Sequence, residues 1–201
     1  MGNAICKPRS KETRTLRFKS KDWPYVDAIR KNTMLEGEVS APANKQPNLP
    51  VQISHGLFLS DANGATNIKR LKYLGITHVL NVAGQVGSRI PDEVYDDAGI
   101  VVQIIEAIDE DSYPILQNFL EITTSFINVA KHSGGACLVH CNAGINRSCV
   151  LVAAYKMINE RMNVLEVVSH CRQQRGNIFL SSNQGFQEQL VALARREGLL
   201  G

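Results

Sequence analysis

What this sequence lacks narrows it first. Its cysteines are odd in number, five among 201 residues, and no two form a CxxC pair. That argues against a disulfide framework. The N-terminus has no apolar signal-peptide core, and no apolar run reaches the roughly 18 residues of a spanning helix. These absences point to a reducing, cytosolic setting. No His, Cys or Asp cluster has ligand spacing, so neither a metal nor another cofactor is expected. There is no internal repeat and no low-complexity segment. Nothing calls for a nucleic-acid partner.

What is present suits one domain with extra tail. The net charge of +3 is unevenly spread. Residues 1–21 hold Lys7, Arg9, Lys11, Arg14, Arg17, Lys19 and Lys21 against the single acid Glu12, which leaves the other 180 residues at about −3. A basic tail on a near-neutral body points to an anionic partner for the tail. Residues 1–48 read as a disordered tail and linker with a short helix over 22–34. Asp22 would cap that helix, Pro24 would sit in its first turn, and Val26, Ile29 and Met34 would face one way. Pro42, Pro47 and Pro50 mark the linker.

From residue 49 to 198 strand-like runs alternate with helical ones. Residues 51–60 read as a strand or hairpin. Ile68, Leu71 and Leu74 have helical spacing within 62–74, and Gly75 stops that helix. Strands are expected at 76–83, 100–107 and 136–141. The long helix 114–132 would turn Ile115, Phe119, Ile122, Phe126 and Val129 to one face. Helices at 147–160, 163–175 and 184–197 close the chain. The alternation predicts a single α/β domain whose central, mostly parallel sheet has about five strands flanked by helices.

The chemistry concentrates in His140-Cys141-Asn142-Ala143-Gly144-Ile145-Asn146-Arg147-Ser148, between a short apolar strand and a helix. C-x5-R alone is weak, since chance gives about 0.3 matches at this composition. Requiring the flanking His, Gly and Ser lowers that to on the order of 10⁻⁴ to 10⁻⁵. The spacing has a physical reason. A thiol must be a thiolate to attack phosphorus, and a helix N-terminus with a nearby cation favours that form. Residues 142–146 can wrap so that backbone N–H groups line an anion nest. Gly144 permits the curl. The helix adds its positive end, and Arg147 closes the ring with a planar fork for two phosphate oxygens. Ser148 can donate to the Cys141 sulfur when it becomes the leaving group. Such a site would form a phosphoryl-cysteine intermediate that water hydrolyses. The departing oxygen needs a proton, so an acid should stand on a nearby loop. Asp109 is the candidate, with Glu110 and Asp111 as neighbouring alternatives. His140 either orients the Cys141 backbone or is a satisfied core histidine. Cys137 reads as core packing. Cys149 and Cys171 read as buried thiols, with a protective disulfide to oxidised Cys141 as the lesser alternative.

H-C-N-A-G-I-N-R-S resembles the signature of the dual-specificity protein phosphatases, and the resemblance extends over residues 49–198. Residues 62–83 are similar to that family's first helix and strand. E-A-I-D at 106–109, followed by a long helix, resembles its general-acid loop and selects Asp109 over Asp111. Asn183-Gln184-Gly185-Phe186 with Gln189-Leu190 is similar to its last-helix motif, in which the Asn braces the phosphate loop. Two departures stand out. Asn146 occupies a position where Ser or another small residue is usual, so it would narrow the pocket rim or add a hydrogen bond. The segment from Arg175 to Asn183 is about two residues longer than usual. The resemblance implies a shallow cleft for phosphoserine, phosphothreonine and phosphotyrosine in phosphoprotein substrates, among them kinases of a signalling cascade. Two other readings compete: a phosphatase of phosphoinositides or other non-protein substrates, and an idle phosphate-binding scaffold. The loop 142–146 contains no Lys or Arg, which counts against highly charged headgroups.

Met1-Gly2-Asn3-Ala4-Ile5-Cys6-Lys7 resembles an N-myristoylation sequence with Gly2 as acceptor, although Cys6 replaces the usual Ser or Thr. One acyl chain holds only marginally, so anchoring needs a second signal. Palmitate on Cys6 or the basic run would supply it, the latter at roughly 1 kcal/mol per basic residue on an anionic leaflet. The expected location is cytoplasmic, tethered to the inner face of the plasma membrane or an endomembrane. Lys11 to Phe18 also loosely resembles a kinase-docking peptide.

Overall fold

The computed structural model describes residues 16–31 and 48–201. The expected acylation sites Gly2 and Cys6, most of the basic tail, residues 32–34 of the expected first helix and most of the linker lie outside the described residues.

After a 3₁₀ turn at Ser20–Asp22 comes α1 (Trp23–Lys31). Its spacing is as the sequence implies: Val26 and Ile29 point inward and join the main core. Burying two such side chains stabilises the contact by roughly 1.5–3 kcal/mol each. Asp22 does not cap the helix. It is 0% exposed, and its carboxylate accepts from Arg195 Nε at 2.8 Å and from Arg195 Nη2. A long-range ion pair has taken the side chain that a purely local reading assigns to the helix end.

The remaining elements are β1 (Val51–Ser54), β2 (Leu57–Ser60), α2 (Ala62–Ala65), α3 (Ile68–Tyr73), β3 (Ile76–Asn81), α4 (Asp92–Asp97), β4 (Val101–Ile104), α5 (Ile115–His132), β5 (Ala136–His140), α6 (Arg147–Glu160), α7 (Val164–Arg175) and α8 (Gln184–Glu197). The sheet runs β1-β2-β5-β3-β4. Only the β1–β2 hairpin is antiparallel. Alternate residues of each strand feed opposite faces. Leu57 and Leu59 of β2 and Cys137 and Val139 of β5 meet the core beneath α5–α8. Phe58 and Leu138 meet the smaller core with Leu71 of α3 and Tyr95 of α4.

Two expectations need correction. The single helix over 62–74 is two short ones, because Asp61 and Asn67 each cap a new turn, accepting from Gly64 N at 2.7 Å and Arg70 N at 3.0 Å. The buried stripe of α5 is rotated from the expected one. Ile115, Leu116, Phe119, Thr123, Ile127 and Ala130 are buried, whereas Val129 is 57% exposed. Ala130 joins the main core, and Ile122 and Phe126 pack against it from its margin.

β5 is the middle strand of the sheet and is buried at every position. Its carboxyl end delivers the chain to Cys141. Open α/β sheets hold their ligands at this edge. Among the described residues no helix is long and apolar enough to cross a membrane.

Candidate active site

The loop Cys141 to Arg147 turns tightly from β5 into α6. Gly144 has φ of +63°, and a Cβ there would stand 2.6 Å from the Ser60 carbonyl oxygen. Any larger residue would push the loop off β2. The curl aims the Gly144 amide at Cys141 Sγ, 3.2 Å away. Ser148 Oγ donates to the same sulfur at 3.3 Å. The sulfur's residue is only 1% exposed, so these donors act on it with little competition from water. Asn142 and Ala143 are exposed, and Ile145, Asn146 and Arg147 are half-buried.

Carbonyl groups on the outside of the curl are held from behind. Arg175, at the end of α7, donates from Nε to Gly144 O at 3.1 Å and from Nη2 to Ala143 O at 3.2 Å. It is 3% exposed and has no carboxylate partner among the described residues. Its charge is matched by the loop's carbonyl dipoles, which turns the opposing N–H groups inward. The long segment after α7 adds a backbone contact. Phe179 and Leu180 are fully buried, and Leu180 N donates to Ile145 O at 2.7 Å. Sequence reasoning missed Arg175 because it lies 28 positions beyond Arg147 on another helix, outside any local pattern.

His140 is buried, and its Nδ1 lies 3.3 Å from Cys141 O. Burial pushes its ring down to about 4. The neutral ring donates to that carbonyl. The other described thiols are passive: burial pushes Cys137 and Cys149 well up and Cys171 up to about 12.

Across the mouth stands the loop that follows β4. Asp109 Oδ2 lies 3.4 Å from Arg147 Nε, and Arg147 Nη1 donates to Ala107 O at 3.2 Å. Asp109 Oδ1 accepts from Asn183 Nδ2 at 2.9 Å and from Asn146 Nδ2 at 3.3 Å. Neither Glu110 nor Asp111 has a side-chain partner among the described residues, and both carboxylates are exposed. Asn183 caps α8, accepting from Phe186 N at 2.9 Å. Its other end reaches Asp109 rather than the phosphate loop, and the bracing expected of it is done by Arg175. Gly185 lets α8 approach the acid loop so closely that a Cβ would overlap the Asp111 carbonyl oxygen. Gln189 donates to Tyr113 O at 2.8 Å and accepts from Leu116 N at 3.3 Å. On the far side of the acid loop a cavity of about 220 Å³ lies between α8, Pro114, Leu16 and Phe18. Leu16 and Phe18 are half-buried against the core, so the apolar residues of the docking-like stretch face the protein itself. A last cation stands at the rim: Arg89 Nη2 donates to Asn142 Oδ1 at 2.7 Å.

Comparison with known proteins places this geometry. The family described as dual specificity phosphatase, catalytic domain, matches residues 57–196. Dual specificity protein phosphatase 26 of Bos taurus is 39% identical over 142 residues, covering 70% of this chain and 65% of that protein. Dual specificity protein phosphatase 1 of Arabidopsis thaliana is 31% identical over 151 residues, covering 75% of this chain and 72% of that protein. The crystal structure of human DUSP28 superposes with a TM-score of 0.64 at 26% identity, covering 76% of this chain and 97% of that one. The chain thus spans just under two thirds of the length of the Bos taurus relative. The matched span begins at β2, takes in both loops of the site and ends within α8; the chain belongs to the dual specificity phosphatase catalytic-domain family.

Proposed function

We propose that the chain is a protein phosphatase that hydrolyses phosphoserine, phosphothreonine and phosphotyrosine through a phosphoryl-cysteine intermediate on Cys141. The observation that carries this is the sulfur with two donors on it, set in a curled loop opposite Asp109. In the first step the Cys141 thiolate attacks phosphorus and the bond to the leaving oxygen breaks. Asp109 gives that oxygen its proton. Amides of residues 142–146 and the Arg147 fork hold the phosphoryl oxygens as charge moves onto them. In the second step Asp109 takes a proton from water, the water oxygen attacks phosphorus, and the S–P bond breaks. Ser148 then stabilises the departing thiolate.

Steady hydrolysis of a small aryl phosphate, lost in Cys141→Ser, tests the mechanism. Turnover that survives the substitution would sink it. A second reading, a phosphatase of inositol lipids, draws support from Arg89, which brings a cation to the rim from outside the loop. Phosphopeptides assayed beside phosphoinositides separate the two, and activity on lipid alone would overturn the first.

The N-terminal address belongs to the same proposal. Acylation of Gly2, seconded by Cys6 or the basic run, would hold the enzyme at the cytoplasmic face of a membrane, near phosphoprotein substrates such as signalling kinases. Gly2→Ala should release it to the soluble fraction, and unchanged membrane partition would refute the anchor.

A further inference from the structure

Asn146 stands at the N-cap of α6, a position where Asn ordinarily accepts a hydrogen bond from the helix's own first amides. It makes no such bond. The first amides of α6 are left for the anion site, and the side chain is spent elsewhere. It pairs with Ser182 Oγ at 3.0 Å and with Asp109 Oδ1 at 3.3 Å. A hydroxyl can partner either end of the amide, so Ser182 does not fix which way Asn146 faces. The Asp109 carboxylate does, because it only accepts when ionised and therefore needs the NH₂ end.

The two oxygens of Asp109 are consequently unlike. Oδ1 accepts from Asn146 and from Asn183. Among the described residues Oδ2 has only the ion-pair contact with Arg147 Nε at 3.4 Å, and that Nε has no hydrogen-bond partner among them. A proton on Oδ1 would face two N–H donors and strand them, at the cost of an unsatisfied pair. A proton on Oδ2 displaces no hydrogen bond and gives up only the long contact with Arg147 Nε.

Resting on the reading of Asp109 as the acid, we propose that Asn146 is a positioning residue. With Asn183 it fills Oδ1, so that the transferable proton resides on Oδ2, the oxygen turned toward Arg147 and the phosphate. In the first step the proton leaves Oδ2 for the departing oxygen as the P–O bond breaks. In the second, the same oxygen takes the proton of the attacking water. Serine, which is one atom shorter, does not span the gap to Asp109. The departure from the family pattern at this position thus sharpens acid catalysis rather than phosphate binding.

The test is kcat/KM over a series of aryl phosphates whose leaving phenols grow steadily more basic. The Asn146→Ser enzyme should lose roughly three- to tenfold more on the most basic leaving group than on nitrophenyl phosphate, the size of one net hydrogen bond. Competitive inhibition by inorganic phosphate should hold steady. In an Asp109→Asn background the same substitution should do nothing further. An equal loss on every leaving group, or a loss that persists without the Asp109 carboxyl, would show that Asn146 merely supports the loop and would overturn the proposal. If Asp109→Asn alone leaves the leaving-group dependence unchanged, the acid assignment is what fails, and the proposal falls with it.

Discussion

The phosphate loop and the acid loop meet within a few ångströms, yet they are held by opposite means. The phosphate loop is fixed from beneath. It grows out of a fully buried strand, runs into a nearly fully buried helix and rests on a buried arginine. The acid loop is exposed from Ile108 to Ser112 and is held by single side chains reaching across to it, from Asn183 and Gln189 at α8 and from Asn146 and Arg147. The first arrangement suits a site that must present amides to an anion without reorganising. The second suits a group that exchanges protons with a substrate and with water. Damage to the two should therefore read out differently, as binding on one side and as turnover on the other.

The largest effect is expected at the nucleophile. Cys141→Ser should lower kcat roughly 10⁴-fold or more on any substrate, measured against a small aryl phosphate. On the other loop, Asp109→Ala should cost roughly 100-fold in kcat while phosphopeptide binding persists. Asp111→Ala should be close to neutral, because its carboxylate has no hydrogen-bond or ion-pair partner among the described residues. A larger loss at Asp111 would mean that the acid loop rearranges on binding.

Arg175 is the sharpest probe of the phosphate loop. Replacing it with Met keeps much of the volume but removes both hydrogen bonds to the loop, leaving buried Gly144 O with only the weak Cys149 Sγ donor, a loss of about 1 kcal/mol or more for each bond. We expect inorganic phosphate to bind at least tenfold more weakly and KM to rise. An unchanged inhibition constant with reduced kcat would place Arg175 on the wrong side of the comparison.

Arg175 also marks how far the sequence could be read. The strands, the mostly parallel sheet and the site motif were legible because their signals are local: a short apolar run, a glycine, an arginine at fixed spacing, a helix start. Residues 51–60 read as a strand or hairpin and form the β1–β2 hairpin; the last three helices carried their own periodicity, and α7 and α8 their own asparagine caps. What escaped was set by distant partners. Nothing near Asp22 announces Arg195, and nothing near Arg175 announces Ala143 and Gly144. In α5 the apolar residues cover more than one face, so spacing alone placed Ile115, Phe119, Ile122 and Phe126 correctly against the core but carried the stripe on to exposed Val129. Only tertiary packing selects Ala130 and Thr123 over Val129. Asn146 was conspicuous in the sequence, but its partner Asp109 is 37 positions away.

Gln189 tests the acid loop more gently than Asp109 does. Gln189→Leu removes both bonds that pin Tyr113 and Leu116, a loss of about 1 kcal/mol each. The loop should loosen and kcat fall several-fold, with phosphate inhibition unaltered. A rise in the inhibition constant would show that the two loops are coupled more tightly than their separate supports suggest.

The smallest effect concerns pH, and it belongs to the phosphate-loop side alone. His140 is buried neutral, with its ring pushed down from 6.5 to about 4. In the unfolded chain it protonates near 6.5, so between those values the unfolded state binds the extra proton. The stability that His140 contributes is complete above about pH 6.5 and is lost as pH falls toward 4, with a slope approaching about 1.4 kcal/mol per pH unit. Burial pulls His78 the same way. Thermal melts from pH 8 to 5 should show that decline. His140→Asn, which keeps a donor near Nδ1 but cannot titrate, should start lower and fall less steeply. The acid loop has no buried histidine, so amide protection, taken relative to the intrinsic exchange rate at each pH, should fall on acidification around β5 and the loop after it, while residues 108–112 stay unprotected at every pH. Were acid to open the exposed loop first and leave β5 protected, the division between a loop held from beneath and one held by single side chains would be wrong.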